Sequence, residues 1–210
     1  MKNNNRSNYQ KQLCTYVQHS RVTKFVKDCN ILYDQQYGFR SKHIAQHAIV
    51  DIVNTILQNM GNGKFSRGVS IDLKKGFDTL NHEILLAKLE NYGIRGVINS
   101  WFRSYLTDRN QITEVNNVVS EAETPLCGVP LGSILGPLLF LLYINDIYKS
   151  SSLFAFYLFA DDTRRILANN NLKELETRQR MAKGQQTVFE HKKIKLCNLS
   201  SPAKEYALHT

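Results

Sequence analysis

An apolar run that ends in two adjacent aspartates, YLFADD at residues 157–162, constrains the fold more than any other segment of this chain. The run is apolar enough to form a buried strand, and two carboxylates at its end repel each other when both are ionised. A divalent cation relieves that repulsion, and Mg²⁺ prefers one or two carboxylates together with substrate phosphates. An acidic β-turn is the alternative, because Asp is also a common turn residue.

A second acidic strand end lies about ninety residues upstream, in the segment GVSIDLKKGFD. Its apolar residues alternate with polar ones, which is the period-two pattern of a strand with one buried face and places Asp72 on the opposite face. If this strand lies beside the YLFADD strand, Asp72 converges with Asp161 and Asp162. Three carboxylates can hold two metal ions about 3.5–4 Å apart, an arrangement suited to phosphoryl or nucleotidyl transfer.

Two further blocks accompany these strands, and the four stand in the order QYGFR (36–40), IDLKKGFDTLNH (71–82), GVPLGSILGPLLFLLYINDI (128–147) and FADDT (159–163). Together they resemble the reverse transcriptase domain of non-LTR (LINE-type, jockey-like) retrotransposons. The resemblance extends over about residues 21–167. Each block alone is a weak signal, whereas four blocks in family order and at family-like spacing are a specific one.

The resemblance implies a fold and an organisation. The fold class is α+β, a polymerase palm whose small antiparallel sheet is backed by helices, with part of the fingers and without a thumb. Residues 21–170 are expected to form the palm with the fingers remnant. Residues 1–20 are expected to be a poorly matched, partly disordered segment, and residues 171–210 a degraded C-terminal part of the palm. The chain is interpreted as a truncated copy of such a domain.

Catalytic and metal-binding roles also follow from the resemblance. Asp72 and Asp161 are similar to the two catalytic metal ligands of the family, and Asp162 is the adjacent acid that supports them and completes the metal-binding set. The cofactor implied is Mg²⁺ or Mn²⁺.

Four residues correspond to nucleotide-binding positions of the family: Leu73, Phe77, Leu131 and Gly132. The Leu73 carbonyl is expected to assist the metal ligands. Phe77 falls where the family keeps an aromatic steric gate against a 2′-hydroxyl, and an ordinary core aromatic is the alternative. Leu131 stands where the family usually has Gln, so it lacks a hydrogen-bonding group near the nucleotide sugar. Gly132 is expected to allow close approach of the main chain.

The activity that the resemblance implies is RNA-directed DNA synthesis, in which deoxynucleoside triphosphates are joined to a primer 3′-hydroxyl by two-metal nucleotidyl transfer. The expected partners are an RNA template, a DNA primer and deoxynucleotides, and weak or no activity is expected of this chain alone. Two alternatives stay open. One is a catalytically inactive nucleic-acid-binding remnant, and the other is a different two-metal enzyme such as a nucleotidyl cyclase, against which the 128–147 block argues.

The formal charge of +9 is spread unevenly. Lys and Arg outnumber Asp and Glu by 10 to 3 in residues 1–70 and by 10 to 6 in residues 161–210, whereas residues 71–160 carry 7 against 9. Basic flanks around an acidic centre favour contact with phosphates, although lysines that merely face solvent are the alternative.

The four cysteines show no paired spacing, and neither a signal peptide nor a membrane span is predicted. An intracellular protein of cytoplasm and nucleus is therefore expected.

Hydrophobic periodicity predicts the surrounding elements. Helices are expected over 15–29, 44–60 and 82–91, around 97–105, and after Ser133 as a buried helix, with residues 1–12 disordered. The second helix is expected to bury a face of four residues, Ile49, Ile52, Val53 and Ile56. Hairpins are expected from 111–115 with 118–122 and from 154–159 with 163–167, the second with the aspartate pair at its tip.

Overall fold

The computed structural model describes residues 2–73, 75–107, 109–130, 132–184 and 192–200; for Asp72, 2–11, 179–184 and 192–200 it describes the main chain alone. In chain order the helices and strands are α1 (Lys2–Asp28), α2 (Ala45–Gly61), β1 (Phe65–Leu73), α3 (His82–Asn91), α4 (Val97–Thr107), β2 (Glu114–Val115), β3 (Val118–Val119), α5 (Leu135–Ile144), a 3₁₀ helix (Ile147–Ser150), β4 (Phe154–Phe159), β5 (Asp162–Asn169), α6 (Leu172–Gly184) and β6 (Lys192–Ser200).

These elements form two compact units. A helical unit comprises residues 1–33 and 75–145, and a sheet unit comprises residues 34–74 and 146–210. In the sheet unit, four strands form one antiparallel sheet in the order β4-β5-β1-β6. Helices α2 and α6 pack on this sheet, which confirms the predicted α+β class and the helix-backed antiparallel sheet.

Strand β6 is the one strand of this sheet that sequence reasoning missed. It pairs with β1 along the edge away from β5. The sequence does contain a pattern that predicts this strand, since Ile194 and Leu196 alternate with lysines in the period-two pattern of a strand.

The two-residue strands β2 and β3 form the other predicted hairpin, whose Asn116 and Asn117 both have positive φ, as a type I′ turn requires.

The buried face of the sheet contains an arginine that the sequence pattern did not single out. Register places Val69 of β1 opposite Arg165 of β5, and both side chains are buried. The Arg165 guanidinium carbon lies 4.7 Å from the centre of the Phe154 ring and 5.8 Å from that of Phe156. Burial lowers the pKa of Arg165 to about 10. The guanidinium therefore stays charged at neutral pH, and the two aromatic faces offset part of its desolvation.

Helix α2 docks on the sheet through a narrower apolar face than the sequence predicted. Ile52 and Ile56 pack against Tyr157 and its buried neighbours. Ile49 and Val53, which were predicted to share that face, are 55% and 45% exposed. The prediction was wrong for these two because polar side chains occupy part of the docking surface.

Three polar residues of α2, spaced one helical turn apart, are hydrogen-bonded within the sheet unit: Asp51 to the hydroxyl of Tyr37, Thr55 to the hydroxyl of Tyr157 (2.5 Å) and Asn59 to Ser66 (3.0 Å). Burial raises the pKa of Tyr157, the nearby charge of Asp51 raises it further, and the bond to Thr55 opposes both. A polar stripe at i, i+4, i+8 therefore fixes the rotation of α2 about its axis.

The helical unit is built around α5. Eight of its ten residues are buried, so the prediction of a helix packed from several directions is confirmed. Helix α3 begins at the predicted residue, with Asn81 accepting a hydrogen bond from the main chain of Ile84 (3.0 Å) as its N-cap. Helix α4, predicted around 97–105, buries Phe102 and Leu106, whereas Val97 at its first position is 86% exposed.

The first helix is longer than predicted. It runs from Lys2 to Asp28, whereas the sequence predicted disorder up to residue 12 and a helix from residue 15. No Gly or Pro occurs before Gly38, so nothing in the sequence interrupts a helix in this region. Among the residues that the structure describes, no helix is both long and apolar enough to cross a bilayer.

We expect the contact between Thr55 and Tyr157 to show coupling in a double-mutant cycle. Thr55→Val or Tyr157→Phe alone leaves one half-buried hydroxyl without its partner and should lower the free energy of unfolding by about 1–3 kcal/mol. The double variant should cost about as much as the larger single effect rather than their sum. Urea denaturation measures the three values, and Tyr16→Phe, at a 59% exposed tyrosine of α1, is the control. Strictly additive losses would contradict this role of the contact.

Candidate functional site

The hairpin of β4 and β5 is closed by a two-residue turn, Ala160 and Asp161, because Phe159 pairs directly with Asp162. The predicted hairpin is therefore confirmed with one correction, since Asp162 is already the first residue of β5 and only Asp161 lies in the turn. Ala160 has φ +53°, a value that glycine adopts readily and other residues adopt at a cost of about 1–2 kcal/mol. The turn projects Asp161 beyond the last paired residues of the hairpin.

Strand β1 brings Asp72 to the same end of the sheet. The Cα of Asp72 pairs with that of Asp162, and the main-chain N–H of Leu73 donates to the carbonyl of Asp161 at 3.4 Å. The sequence predicted that β1 lies beside the strand that ends at Phe159, but β5 lies between them. The main chains of the three aspartates meet by this different route.

The Asp162 carboxylate is held from two sides. The hydroxyl of Ser70 donates to one oxygen at 3.4 Å, and the guanidinium of Arg164 lies 3.5 Å from the other. Register explains both contacts, because Ser70, Asp162 and Arg164 lie on one face of the sheet. The side chains of Asp162 and Arg164 are 46% and 55% exposed, so this carboxylate remains accessible to solvent.

The donor chemistry at this end of the sheet fits a hard divalent cation. Asp161 and Asp162 offer carboxylate oxygens, the ligands that Mg²⁺ and Mn²⁺ prefer. Among the side chains that the structure describes, no group of three His, Cys, Asp or Glu is arranged to hold a metal. The side chain of Asp72 is outside that described set, so the predicted three-carboxylate site stays a prediction.

The predicted nucleotide-binding residues are divided between the two units. Leu73 ends β1 in the sheet unit, Phe77 and Gly132 belong to the helical unit, and Leu131 lies outside the described residues. The half-buried Phe77 ring stacks on Phe140, with ring centres 4.3 Å apart. A Cβ added at Gly132 would have no neighbour within 4 Å, and φ there is +72°. Glycine at position 132 therefore suits the positive φ of this turn, and its expected place at the nucleotide stays a prediction.

Gly128 fixes the loop that precedes α5, and sequence reasoning did not recognise its role. Its main-chain N–H donates to the Leu80 carbonyl at 2.7 Å, and its carbonyl accepts from His82 Nε2 at 2.7 Å and from Arg109 at 3.2 Å. A Cβ at this position would lie 2.8 Å from the carbonyl oxygen of Asp78. Hydrogen bonds thus hold the loop against the segment that carries Phe77. The His in the FDTLNH block is the sequence feature from which this contact could have been predicted.

Helix α5 begins shortly after Ser133, as the sequence predicted. Ser133 Oγ accepts a hydrogen bond from the main-chain N–H of Gly136 at 3.0 Å, in the first turn of α5. Pro137 stands in the same turn, where a missing N–H is tolerated.

Two residues of the QYGFR block also contact the aspartate hairpin and were not predicted to do so. Gln36 and Gly38 lie against Ala160 in the turn. In the sequence they appeared only as parts of a family block, because nothing local in the chain connects residue 36 with residue 160.

We predict that Gly128→Ala destabilises the protein by about 2 kcal/mol or more. The change forces a non-glycine residue into φ +82° and drives its Cβ into the main chain of Asp78. The matched control is Gly61→Ala at the end of α2, where an added Cβ meets nothing within 4 Å and the effect should stay within about 0.5 kcal/mol. Chemical denaturation of both variants tests this, and equal stabilities would refute it.

Comparison with known proteins shows what this arrangement resembles. Residues 2–202 match the family described as reverse transcriptase (RNA-dependent DNA polymerase), a wider range than the four sequence blocks indicated. Two similar Drosophila melanogaster proteins are the probable RNA-directed DNA polymerase from transposon BS, 30% identical over 155 residues, and the RNA-directed DNA polymerase from mobile element jockey, 30% identical over 112 residues. The alignments cover 71% and 53% of this chain but only 16% and 12% of those proteins.

Two solved structures share the fold. They are the telomerase of Candida albicans in complex with a TWJ fragment of telomeric RNA and the apo telomerase of Candida tropicalis truncated from its C-terminal domain. Both give a TM-score of 0.64, at 14% and 15% sequence identity. The matches cover 94% and 93% of this chain and 37% and 42% of those chains. At this identity the likeness concerns the fold alone, and it confirms the predicted polymerase palm.

Proposed function

The chain belongs to the reverse transcriptase (RNA-dependent DNA polymerase) family, and from this premise we propose that it carries out nucleotidyl transfer from deoxynucleoside triphosphates to a primer 3′-hydroxyl on an RNA template. The observation that carries the proposal is the meeting of the main chains of three aspartates at one end of the sheet, which follows from the pairing of Asp72 with Asp162 and from the turn that contains Asp161.

In this proposal the residues at the aspartate end of the sheet have distinct tasks. Asp72, Asp161 and Asp162 would hold Mg²⁺ or Mn²⁺, with the Leu73 carbonyl assisting. Ser70 and Arg164 orient the Asp162 carboxylate through the contacts of 3.4 and 3.5 Å. The bound cation would supply electrostatic stabilisation of the charge that develops on the phosphate oxygens. The protein contributes by fixing its carboxylates before substrate arrives.

Selection of the nucleotide is proposed to rest on the helical unit. Phe77 would act as the steric gate that disfavours a 2′-hydroxyl, and stacking on Phe140 at 4.3 Å restricts the orientation of its ring. Gly132 and Leu131 would line the nucleotide site. The basic flanks of the chain would contact the phosphates of the RNA template and the DNA primer.

One observation favours a second candidate, a nucleic-acid-binding remnant without polymerase activity. Leu131 replaces the family's usual Gln with a side chain that neither donates nor accepts a hydrogen bond. Such a chain would bind primer–template and fail to extend it, so a polymerisation assay separates the two candidates.

Single-nucleotide extension of a DNA primer on an RNA template tests the proposed activity. We expect a slow but measurable rate of extension, which Asp161→Asn should lower by about 10²-fold or more, the scale for losing one group that stabilises the transition state electrostatically. Glu121→Gln, which removes an exposed carboxylate between β3 and α5, should leave the rate unchanged. Primer–template binding without any extension would select the inactive remnant.

Metal binding can be tested without catalysis. Mg²⁺ or Mn²⁺ should raise the melting temperature, because a ligand at 100 times its Kd stabilises the folded state by about 2.7 kcal/mol. The double variant Asp72→Asn with Asp161→Asn should lose this gain. A double variant of two exposed acids, Glu121→Gln with Glu123→Gln, should keep it. If both double variants respond equally to the cation, the aspartates are not its site.

A further inference from the structure

The turn that presents Asp161 is supported from the side by the segment Gln35–Gly38. The main-chain N–H of Tyr37 donates to the carbonyl of Leu158 at 2.8 Å, and the N–H of Leu158 donates to the carbonyl of Gln35 at 2.9 Å. These bonds make a short parallel bridge along the free edge of β4. The segment therefore reaches the turn already aligned with the strand that leads into it.

Gln36 extends this support into the turn itself. Its side-chain oxygen accepts from the main-chain N–H of Gly38 at 3.0 Å and from that of Ala160 at 3.4 Å. Gln36 is only 1% exposed, so water has little access to replace the acceptor. One buried amide oxygen thus satisfies a donor of the supporting segment and a donor of the turn, and it ties the two together.

Gly38 lies where no side chain fits. A Cβ at this position would be 2.3 Å from the main-chain nitrogen of Ala160 and 3.0 Å from the carbonyl carbon of Phe159. Both obstacles are main-chain atoms, which cannot rotate away as the end of a flexible side chain would. Any residue other than glycine at position 38 would therefore displace the turn.

The turn needs this support because of its own sequence. Ala160 holds φ +53°, the conformation that two-residue hairpins normally assign to Gly or Asn. Without the contacts from Gln36 and Gly38, an alanine at this place would relax toward negative φ. That relaxation would turn the following residue, Asp161, away from its orientation.

We infer that Gln36 and Gly38 are positioning residues for Asp161, because they hold the alanine turn of the aspartate hairpin in its left-handed conformation. The inference rests on the proposed function, in which Asp161 holds the catalytic cation. It adds to that function a part for the QYGFR block, which is separated from the hairpin by about 120 residues of chain.

The variant that tests it is Gln36→Met, which keeps the length of the side chain and removes the acceptor. The amide of Ala160 should exchange with deuterium about three- to tenfold faster, and the Mg²⁺ concentration for half-maximal thermal stabilisation should rise by a similar factor, the scale of one lost hydrogen bond. Gln35→Met is the matched control, because Gln35 contributes its main-chain carbonyl to the bridge. Neither quantity should change in that control.

A second substitution separates positioning from general stability. Ala160→Gly removes the conformational cost of positive φ, so in this background Gln36→Met should change the Mg²⁺ midpoint much less. If Gln36→Met does not fold in the wild-type background, the comparison is made between Ala160→Gly and the double variant, with amide exchange at residue 160 as the readout. A purely structural role for Gln36 would give the same loss in both backgrounds.

The outcomes also distinguish this inference from the proposed function. If the wild type binds Mg²⁺ and Gln36→Met binds it equally well, the inference is overturned and the function stands. If the wild type shows no response to the cation, the proposed function fails at its metal site. Amide exchange still tests whether Gln36 supports the turn, and equal exchange of the Ala160 amide in wild type and Gln36→Met would overturn the inference.

Discussion

The hydrogen bonds between β1 and β5 decide which side chains share a face of the sheet, since a shift of one residue would reverse every position. The observed register places Asp72 beside Asp162, and on the opposite face it buries Val69 with Arg165. The acids at the end of the sheet and the apolar contacts that stabilise it are thus set by the same pairing. Ser70 and Arg164 reach the Asp162 carboxylate for the same reason.

Features that depend on local pattern could be predicted from the sequence. The limits of α3, the apolar surroundings of α5 and the Asn-Asn turn between β2 and β3 all follow from residues close to one another in the chain. The strand end that carries Asp72 was expected to meet the aspartate pair Asp161 and Asp162, and the main chains do meet, although through β5 rather than β4. The roles of these aspartates stay predictions.

Side-chain contacts between distant segments could not be predicted. Ile49 and Val53 look like core residues by periodicity, but hydrogen bonds from Asp51, Thr55 and Asn59 set the rotation of α2 and leave both residues exposed. The contacts of Gln36 and Gly38 with Ala160 are invisible for the same reason. Apolar pattern alone does not say which polar side chain will find a partner in the fold.

The order of the segments along the chain has a consequence for synthesis on the ribosome. The sheet unit is interrupted in the chain by residues 75–145 of the helical unit, so about ninety residues are synthesised between β1 and its partner β5. At about 5–20 residues per second that interval lasts roughly 5 to 20 s. Closing a loop of this length costs roughly 4 kcal/mol of chain entropy by the logarithmic term. During the interval the β1 segment has neither of its strand partners, β5 and β6, and unpaired strand segments are prone to associate with one another or to recruit chaperones.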